Sequence, residues 1–302
     1  MMPVELPWPV GFVLGGGGSL GAVQVGMLRA LAEHGLTPDL VVGTSVGSVN
    51  GALLAADPAG ATARLTAIWS AMTRATVFPG GPLAQLRTLR RYRNHLFPND
   101  GLAVVVTKAL GEYADFESLA LPFGTVAVDA ATGHPVLLRS GPLLPAILAS
   151  SAIPGIYPPV RHNGLVLYDG GVLANVPIRQ ALELGARSLV VLDCAFPGHL
   201  PDVPQTMAET LMFWATLGMR NQAVLEAELA ARDVPVLYLP GPPVRPMTPL
   251  DFSHTNELIA DSYAAAEAFL ADMSLAGAGL TGPGLYGQPG AAGDGHGAGA
   301  TG

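Results

Sequence analysis

The stretch Val13-Leu14-Gly15-Gly16-Gly17-Gly18-Ser19-Leu20-Gly21 decides how this chain is read, together with a second of the same build, Val41-Val42-Gly43-Thr44-Ser45-Val46-Gly47-Ser48. In each, an apolar run passes through glycines into a run of small residues, the pattern of a strand turning tightly into a helix. The alternation continues along the chain. Residues 10–14, 40–42, 123–128, 165–167, 189–192 and 234–239 are short apolar runs bounded by turn residues, while 20–33, 46–56, 204–232 and 255–273 read as helices. Strands separated by helices predict an α/β fold of three layers, with a central, mostly parallel sheet covered on both faces.

Composition narrows the function classes. The chain has 302 residues, half of them apolar, which is ample for a large core in one domain. Its net charge of −8 argues against a nucleic-acid partner, which needs a concentrated positive surface. The lone cysteine, Cys194, excludes an intramolecular disulfide and suits a reducing cytosol; it follows the apolar run 189–192 and reads as a strand-end residue near the core. Residues 1–9 have no basic region ahead of a hydrophobic stretch, which argues against a signal peptide and for a cytoplasmic location. The apolar stretches 41–56 and 143–160 are broken by Ser, Gly, Asn or Pro, so no membrane span is expected, whereas contact with a membrane surface stays open. Histidines and acids are scattered without ligand spacing, and neither a metal nor a cofactor is expected. The sequence leaves the oligomeric state open.

The second turn carries the sharper chemistry. A serine hydroxyl needs positioning and a proton acceptor before it can act as a nucleophile. Gly43-Thr44-Ser45-Val46-Gly47 supplies the positioning, because Gly43 and Gly47 allow a turn tight enough to project the Ser45 hydroxyl at the carboxyl end of a strand. A plainer reading is a glycine-rich turn with a capping serine. The first turn fits G-x-G-x-x-G over Gly16–Gly21, which suits a dinucleotide; yet the position after the next strand holds Gly43-Thr44-Ser45 where a ribose-binding acid belongs. An oxyanion hole needs only unpaired backbone amides, and Gly16, Gly17 and Gly18 at a helix start can supply them.

For the proton acceptor, none of His34, His95, His134, His162, His199, His254 and His296 has a setting that singles it out, although His199 and His254 follow Ser45 in triad order. Asp169, in Tyr168-Asp169-Gly170-Gly171, lies just past a strand with an uncrowded carboxylate.

Gly16–Gly21, Gly43-Thr44-Ser45-Val46-Gly47 and Asp169-Gly170-Gly171, in that order, resemble the motifs of the patatin-like phospholipase family. Ala149-Ser150-Ser151-Ala152-Ile153-Pro154-Gly155-Ile156-Tyr157-Pro158-Pro159 is similar to the stretch that precedes the family's catalytic aspartate. The likeness spans about residues 10–270. It implies a patatin-like fold and a serine acyl hydrolase acting on lipid esters through an acyl-enzyme, with Ser45 as nucleophile, Asp169 as base and the amides around Gly17 and Gly18 as oxyanion hole. A short-chain carboxylesterase with the same dyad, and a silent lipid-binding protein, are the rival readings. The family commonly has Arg or Lys where this chain has Leu20, which bears on oxyanion or head-group recognition.

Three further segments complete the expected organisation. Residues 1–9 are a lead. A helical insertion over 61–117 bears Arg87, Arg90, Arg91 and Arg93 beside leucines, either a lid or lipid-facing surface or a solvated helix packed through its leucines. Residues 276–302, almost all small or turn-forming, predict a disordered tail beyond a domain ending at 275.

Overall fold

In the computed structural model, which describes residues 5–194, 204–242, 250–275, 280 and 282–287, β1 (Val10–Leu14) is buried at every position. Its side chains alternate between two cores: Val10, Phe12 and Leu14 enter one, and Val13 enters the other. A strand that is apolar throughout and buried on both faces belongs at the middle of a three-layer fold. Around it lie β2 (Leu40–Thr44), β3 (Phe123–Asp129), β4 (Pro135–Leu138), β5 (Val160–His162), β6 (Leu165–Asp169), β7 (Ser188–Leu192), β8 (Pro235–Tyr238) and β9 (Gly284–Tyr286). The sheet order is β5-β6-β3-β2-β1-β7-β8-β9, with β4 also paired to β3. Neighbours from β3 through β9 run parallel, while β4 and β6 lie antiparallel to β3 and β5 antiparallel to β6. The sheet is therefore mixed, and its antiparallel end is the one that brings β6 into place.

The helices are α1 (Ala22–Glu33), α2 (Val46–Ala56), α3 (Ala61–Ala71), α4 (Arg74–Val77), α5 (Pro82–Tyr92), α6 (Asp100–Leu110), α7 (Leu143–Ser150), α8 (Gly171–Ala174), α9 (Ile178–Glu183), α10 (Met207–Ala230) and α11 (Thr255–Leu275). Residues of α1, α2, α3, α6, α7 and α11 fill the core on the Phe12 face, and residues of α8, α9 and α10 that on the Val13 face. The insertion is thus partly structural: Leu65 and Trp69 of α3 and Val106, Ala109 and Leu110 of α6 are core residues, whereas α5 buries none of its described side chains.

The tail expectation needs correction. Gly284–Tyr286 extend the sheet as β9, pairing parallel with β8 through Val236↔Leu285 and Leu237↔Tyr286. Leu285 packs against one core and Tyr286 against the other, and Leu280 is wholly buried. Two side chains and an available strand edge are enough to order a segment whose composition alone reads as coil. The rest of the tail, 276–279, 281 and 288–302, lies outside the described residues.

Helix α1 meets α11 so closely at Gly26 that a Cβ there would stand 2.2 Å from the Ile259 carbonyl oxygen. Because backbone rather than a side-chain tip is in the way, Gly26→Ala must push the helices apart. We expect it to cost roughly 2–3 kcal/mol, the upper part of the range for overpacking, read as a Tm lowered by about 5–10 °C. An unchanged melting curve would mean that the contact is looser than described.

Candidate active site

The parallel ladder between β2 and β3 ends at Thr44 opposite Val126. The antiparallel ladder between β6 and β3 ends one residue further on, with Asp169 opposite Ala127. Because β4 occupies the other edge of β3 over Thr125–Val128, β2 and β6 share a single edge and meet there end to end. Residues that follow one strand and close the other are thereby forced together. Ser45 Oγ donates a 2.7 Å hydrogen bond to Asp169 Oδ2, with both residues buried.

The junction is held by a hydroxyl. In the β2–β3 register Val41 N–H donates to the Pro122 carbonyl, so two rungs on Ser45 N–H faces the Val126 carbonyl. Ser150 Oγ is inserted into that rung, accepting from Ser45 N–H at 2.9 Å and donating to Val126 O at 2.6 Å. The chain can then leave the sheet without orphaning either group. Thr44 Oγ1 donates to the Ala174 carbonyl at 2.8 Å, tying the elbow to α8. Ser45 itself has φ 54 and ψ −122, a sparsely populated backbone state for any residue with a side chain. Crowding enforces it: a Cβ at Gly43 would lie 2.2 Å from the Gly47 carbonyl oxygen, and one at Gly47 would lie 2.1 Å from that of Leu14.

The glycine loop packs directly on this elbow. A Cβ at Gly16 would stand 3.2 Å from Ser45 Cβ, and one at Gly21 would stand 2.4 Å from Val46 Cγ2. A buried polar network grips the loop by its carbonyls: Gln24 Nε2 donates to Gly15 O, Asn50 Nδ2 to Gly21 O and to Gln24 Oε1, and Trp69 Nε1 to Asn50 Oδ1. Holding carbonyls leaves amides available. Among the described residues the Gly17 and Gly18 N–H groups have no acceptor, but the Gly16 N–H donates to the Asn175 carbonyl at 2.9 Å. Gly16 is therefore removed from the expected set of oxyanion donors, its amide being spent on the chain just past Asp169. Gly170 and Gly171 pass close beneath: a Cβ at Gly170 would meet the Val126 carbonyl at 2.3 Å.

Asp169 is set up as a base by its surroundings. Burial raises its pKa to about 6, against the opposing effects of the Ser45 hydroxyl on Oδ2 and the Gly171 N–H, which donates to Oδ1 at 2.7 Å. Desolvation wins because the carboxylate has two donors and no cation beside it. No histidine hydrogen-bonds to Ser45 or Asp169 among the described residues; His254 instead lies exposed beside Glu257, and His199 lies outside the described residues. Cys194 is buried after β7, where burial pushes its thiol pKa up, and it abuts Gly17. Leu20 is a core residue, so no side-chain cation enters the loop at that position. Ser150, Gln24, Asn50 and Asn175 escaped the sequence reading. Only Ser150 had a visible signal, its place in the Ala149–Pro159 stretch.

A mixed three-layer sheet that ends on a serine hydrogen-bonded to a buried carboxylate, beside a glycine loop with unpaired amides, has the arrangement of the ester hydrolases. More narrowly, the family model described as patatin-like phospholipase matches residues 12–182, over half of the chain, which belongs to that family. Lysophospholipase NTE1 of Phaeosphaeria nodorum is 28% identical over 291 residues, covering 87% of this chain and 18% of its own length. The patatin-like phospholipase domain-containing protein ZK370.4 of Caenorhabditis elegans is 35% identical over 188 residues, covering 61% of this chain and 13% of its own length. The chain thus spans less than a fifth of these curated relatives. Among solved structures, VipD from Legionella pneumophila is similar with a TM-score of 0.46 and 14% identity, over 88% of this chain and 67% of that one.

Two variants test this geometry through stability. Ser150→Ala strips partners from the buried Ser45 N–H and Val126 carbonyl and should cost about 1–3 kcal/mol in a denaturant titration. Asp169→Asn should act in the other direction. The folded protein keeps the Asp169 proton up to about pH 6, whereas an ordinary aspartate releases it at 3.8. Between those values the native state binds more protons than the unfolded chain, so this group makes stability fall as pH rises. Asn removes the buried charge while still pairing with Ser45 and Gly171. Its expected gain at neutral pH is about 3 kcal/mol, vanishing near pH 4. A variant no more stable than wild type in melts at neutral pH would contradict the desolvation account.

Proposed function

We propose that this chain is a serine acyl hydrolase that cleaves acyl esters of lipids through a Ser45/Asp169 dyad. The observation that carries the reading is the 2.7 Å hydrogen bond from Ser45 Oγ to the desolvated Asp169 carboxylate. Membership of the patatin-like phospholipase family and similarity to proteins named lysophospholipases supply the substrate class.

The course of reaction follows from the residues in place. Asp169 accepts the Ser45 proton as Oγ attacks the ester carbonyl carbon. The tetrahedral oxyanion is received by the Gly17 and Gly18 amides, which need no reorganisation because the loop is already held by its carbonyls. The C–O bond to the leaving alcohol breaks, and protonated Asp169 returns the proton to that oxygen. Water then attacks the acyl-Ser45 ester, giving up a proton to Asp169, and Ser45 recovers its hydrogen as the fatty acid departs. A carboxylate with a pKa raised to about 6 is a stronger base than an ordinary one and is still mostly ionised at neutral pH. A catalytically silent lipid-binding protein is the competing reading, favoured by the buried Leu20 at the loop position where the family commonly has a cation.

Hydrolysis of p-nitrophenyl esters from acetate to palmitate decides between them. Wild type is expected to turn over, Ser45→Ala to be inactive, and the favoured chain length to separate a lipid acyl hydrolase from a short-chain esterase. Folded wild type without turnover at any length would leave the binding protein standing. In the active enzyme kcat/KM should rise tenfold per pH unit below about pH 6 and level off above it, as Asp169 ionises. A flat profile across that range would remove Asp169 as the base.

A further inference from the structure

Residues 58–99 contain no aspartate or glutamate, in a chain that has 23 of them, yet they contain Arg64, Arg74, Arg87, Arg90, Arg91 and Arg93. Four of these arginines lie on or just after α5, the helix without a described buried side chain, and the described residues offer them no ion pair. Leu83, Leu86 and Leu89 recur on one side of the same helix and are 76%, 44% and 41% exposed. The chain on either side of α5 is tied to the loop that follows α7. Tyr157 Oη donates to the Val77 carbonyl, and Leu96 and Phe97 N–H groups donate to the Ile156 carbonyl. That anchor lies a few residues past Ser150, which bonds Ser45, and past Ala152, whose carbonyl accepts from Asp169 N–H.

A second unpartnered element rises on the other face of the sheet. In α10 the contacts with the core come from Ala223, Ala227 and Ala230, while Gln222 Nε2 donates to the Leu173 carbonyl in α8, directly after Asp169. The N-terminal half beyond Gln222 has no buried described side chain and is roughly 20 Å long. About two thirds of its residues are apolar, with Glu209 its one acid and Arg220 its one base, and Met207, Leu211 and Trp214 are 82%, 67% and 63% exposed at helical spacing. Val172, in α8 three residues past Asp169, is itself 48% exposed.

We propose that α5 and the N-terminal half of α10 form a docking surface for an anionic lipid bilayer, with the mouth of the Ser45/Asp169 site between them. This deepens the lipid-hydrolase reading and rests on it for the substrate, though not for the binding. Charge selects the partner: a concentrated positive, acid-free helix is matched by acidic head groups spread over a whole surface, and it opposes the same helix of a second copy meeting it face to face. Apolar side chains and a basic flank on one helix are the makings of an interfacial anchor, and tryptophan suits the head-group boundary. Each arginine close to such a surface adds about fivefold in partitioning.

The test uses full-length Ser45→Ala, which leaves the lipid intact, in co-sedimentation with vesicles of phosphatidylcholine alone or mixed with phosphatidylglycerol. Binding is expected only to the mixed vesicles, with a blue shift of tryptophan emission. It should collapse when salt shortens the Debye length to about 3 Å. Replacing Arg87, Arg90, Arg91 and Arg93 together by Gln should weaken binding by at least about a hundredfold, with Leu211→Glu an independent second variant and thermal melts confirming that each folds. Equal binding to both vesicle types, arginine variants that bind as the parent does, or a dimer that buries Trp214 and ignores vesicles would each overturn the proposal. Wild type that hydrolyses p-nitrophenyl acetate without binding vesicles sinks the docking surface alone. Vesicle binding without ester turnover sinks the hydrolase and leaves the surface.

Discussion

One edge of β3 is shared by two strands that arrive from opposite directions, and the candidate site depends on that arrangement. Val126 closes the ladder with β2 and Ala127 opens the ladder with β6, so the residues emerging from those strands occupy the same few ångströms. Neither Ser45 nor Asp169 is brought to the other by a mobile loop. Their separation is set by backbone register, which is fixed wherever both faces of a sheet are buried. Ser150 resolves the remaining conflict, supplying a hydroxyl to a rung that the departing chain can no longer make directly.

The arrangement is costly. Ser45 sits in a strained backbone conformation, and Asp169 is ionised away from solvent. Both costs are sustained by a rigid surround: the Gly43–Gly47 contact, the Thr44 bond to α8, and the Gln24–Asn50–Trp69 network under the glycine loop. Strain and desolvation concentrated at two residues, with ordinary packing around them, is the distribution expected where chemistry rather than stability has shaped a site.

The two strand–turn–helix units were legible in the sequence because each compresses a whole structural rule into a few residues. Gly43-x-Ser45-x-Gly47 and the glycine run have local meaning, since steric demands at a tight turn do not depend on distant residues. Asp169 was only weakly legible from its place after a strand and gained weight by resemblance, as Asp-Gly-Gly in isolation is an ordinary turn. What stayed hidden depends on long-range pairing. Gly16 is indistinguishable from its neighbours until Asn175 takes its amide, and β9 has no signal of its own beyond two side chains that find an open strand edge. Helix α10 shows the same limit: its helical character reads from sequence, but only the fold reveals that Ala223, Ala227 and Ala230 touch the core while Met207, Leu211 and Trp214 are exposed.

The split rung at Ser45 also bears on how this part of the sheet comes apart. Since Ser45 follows β2 and Asp169 closes β6, the backbones of the two residues part only when one of those strands leaves β3. Amides buried in paired strands, such as those of β2 and β3, exchange slowest with solvent. Fraying of a helix that holds none of these partners, such as α5, leaves the Ser45–Asp169 contact in place.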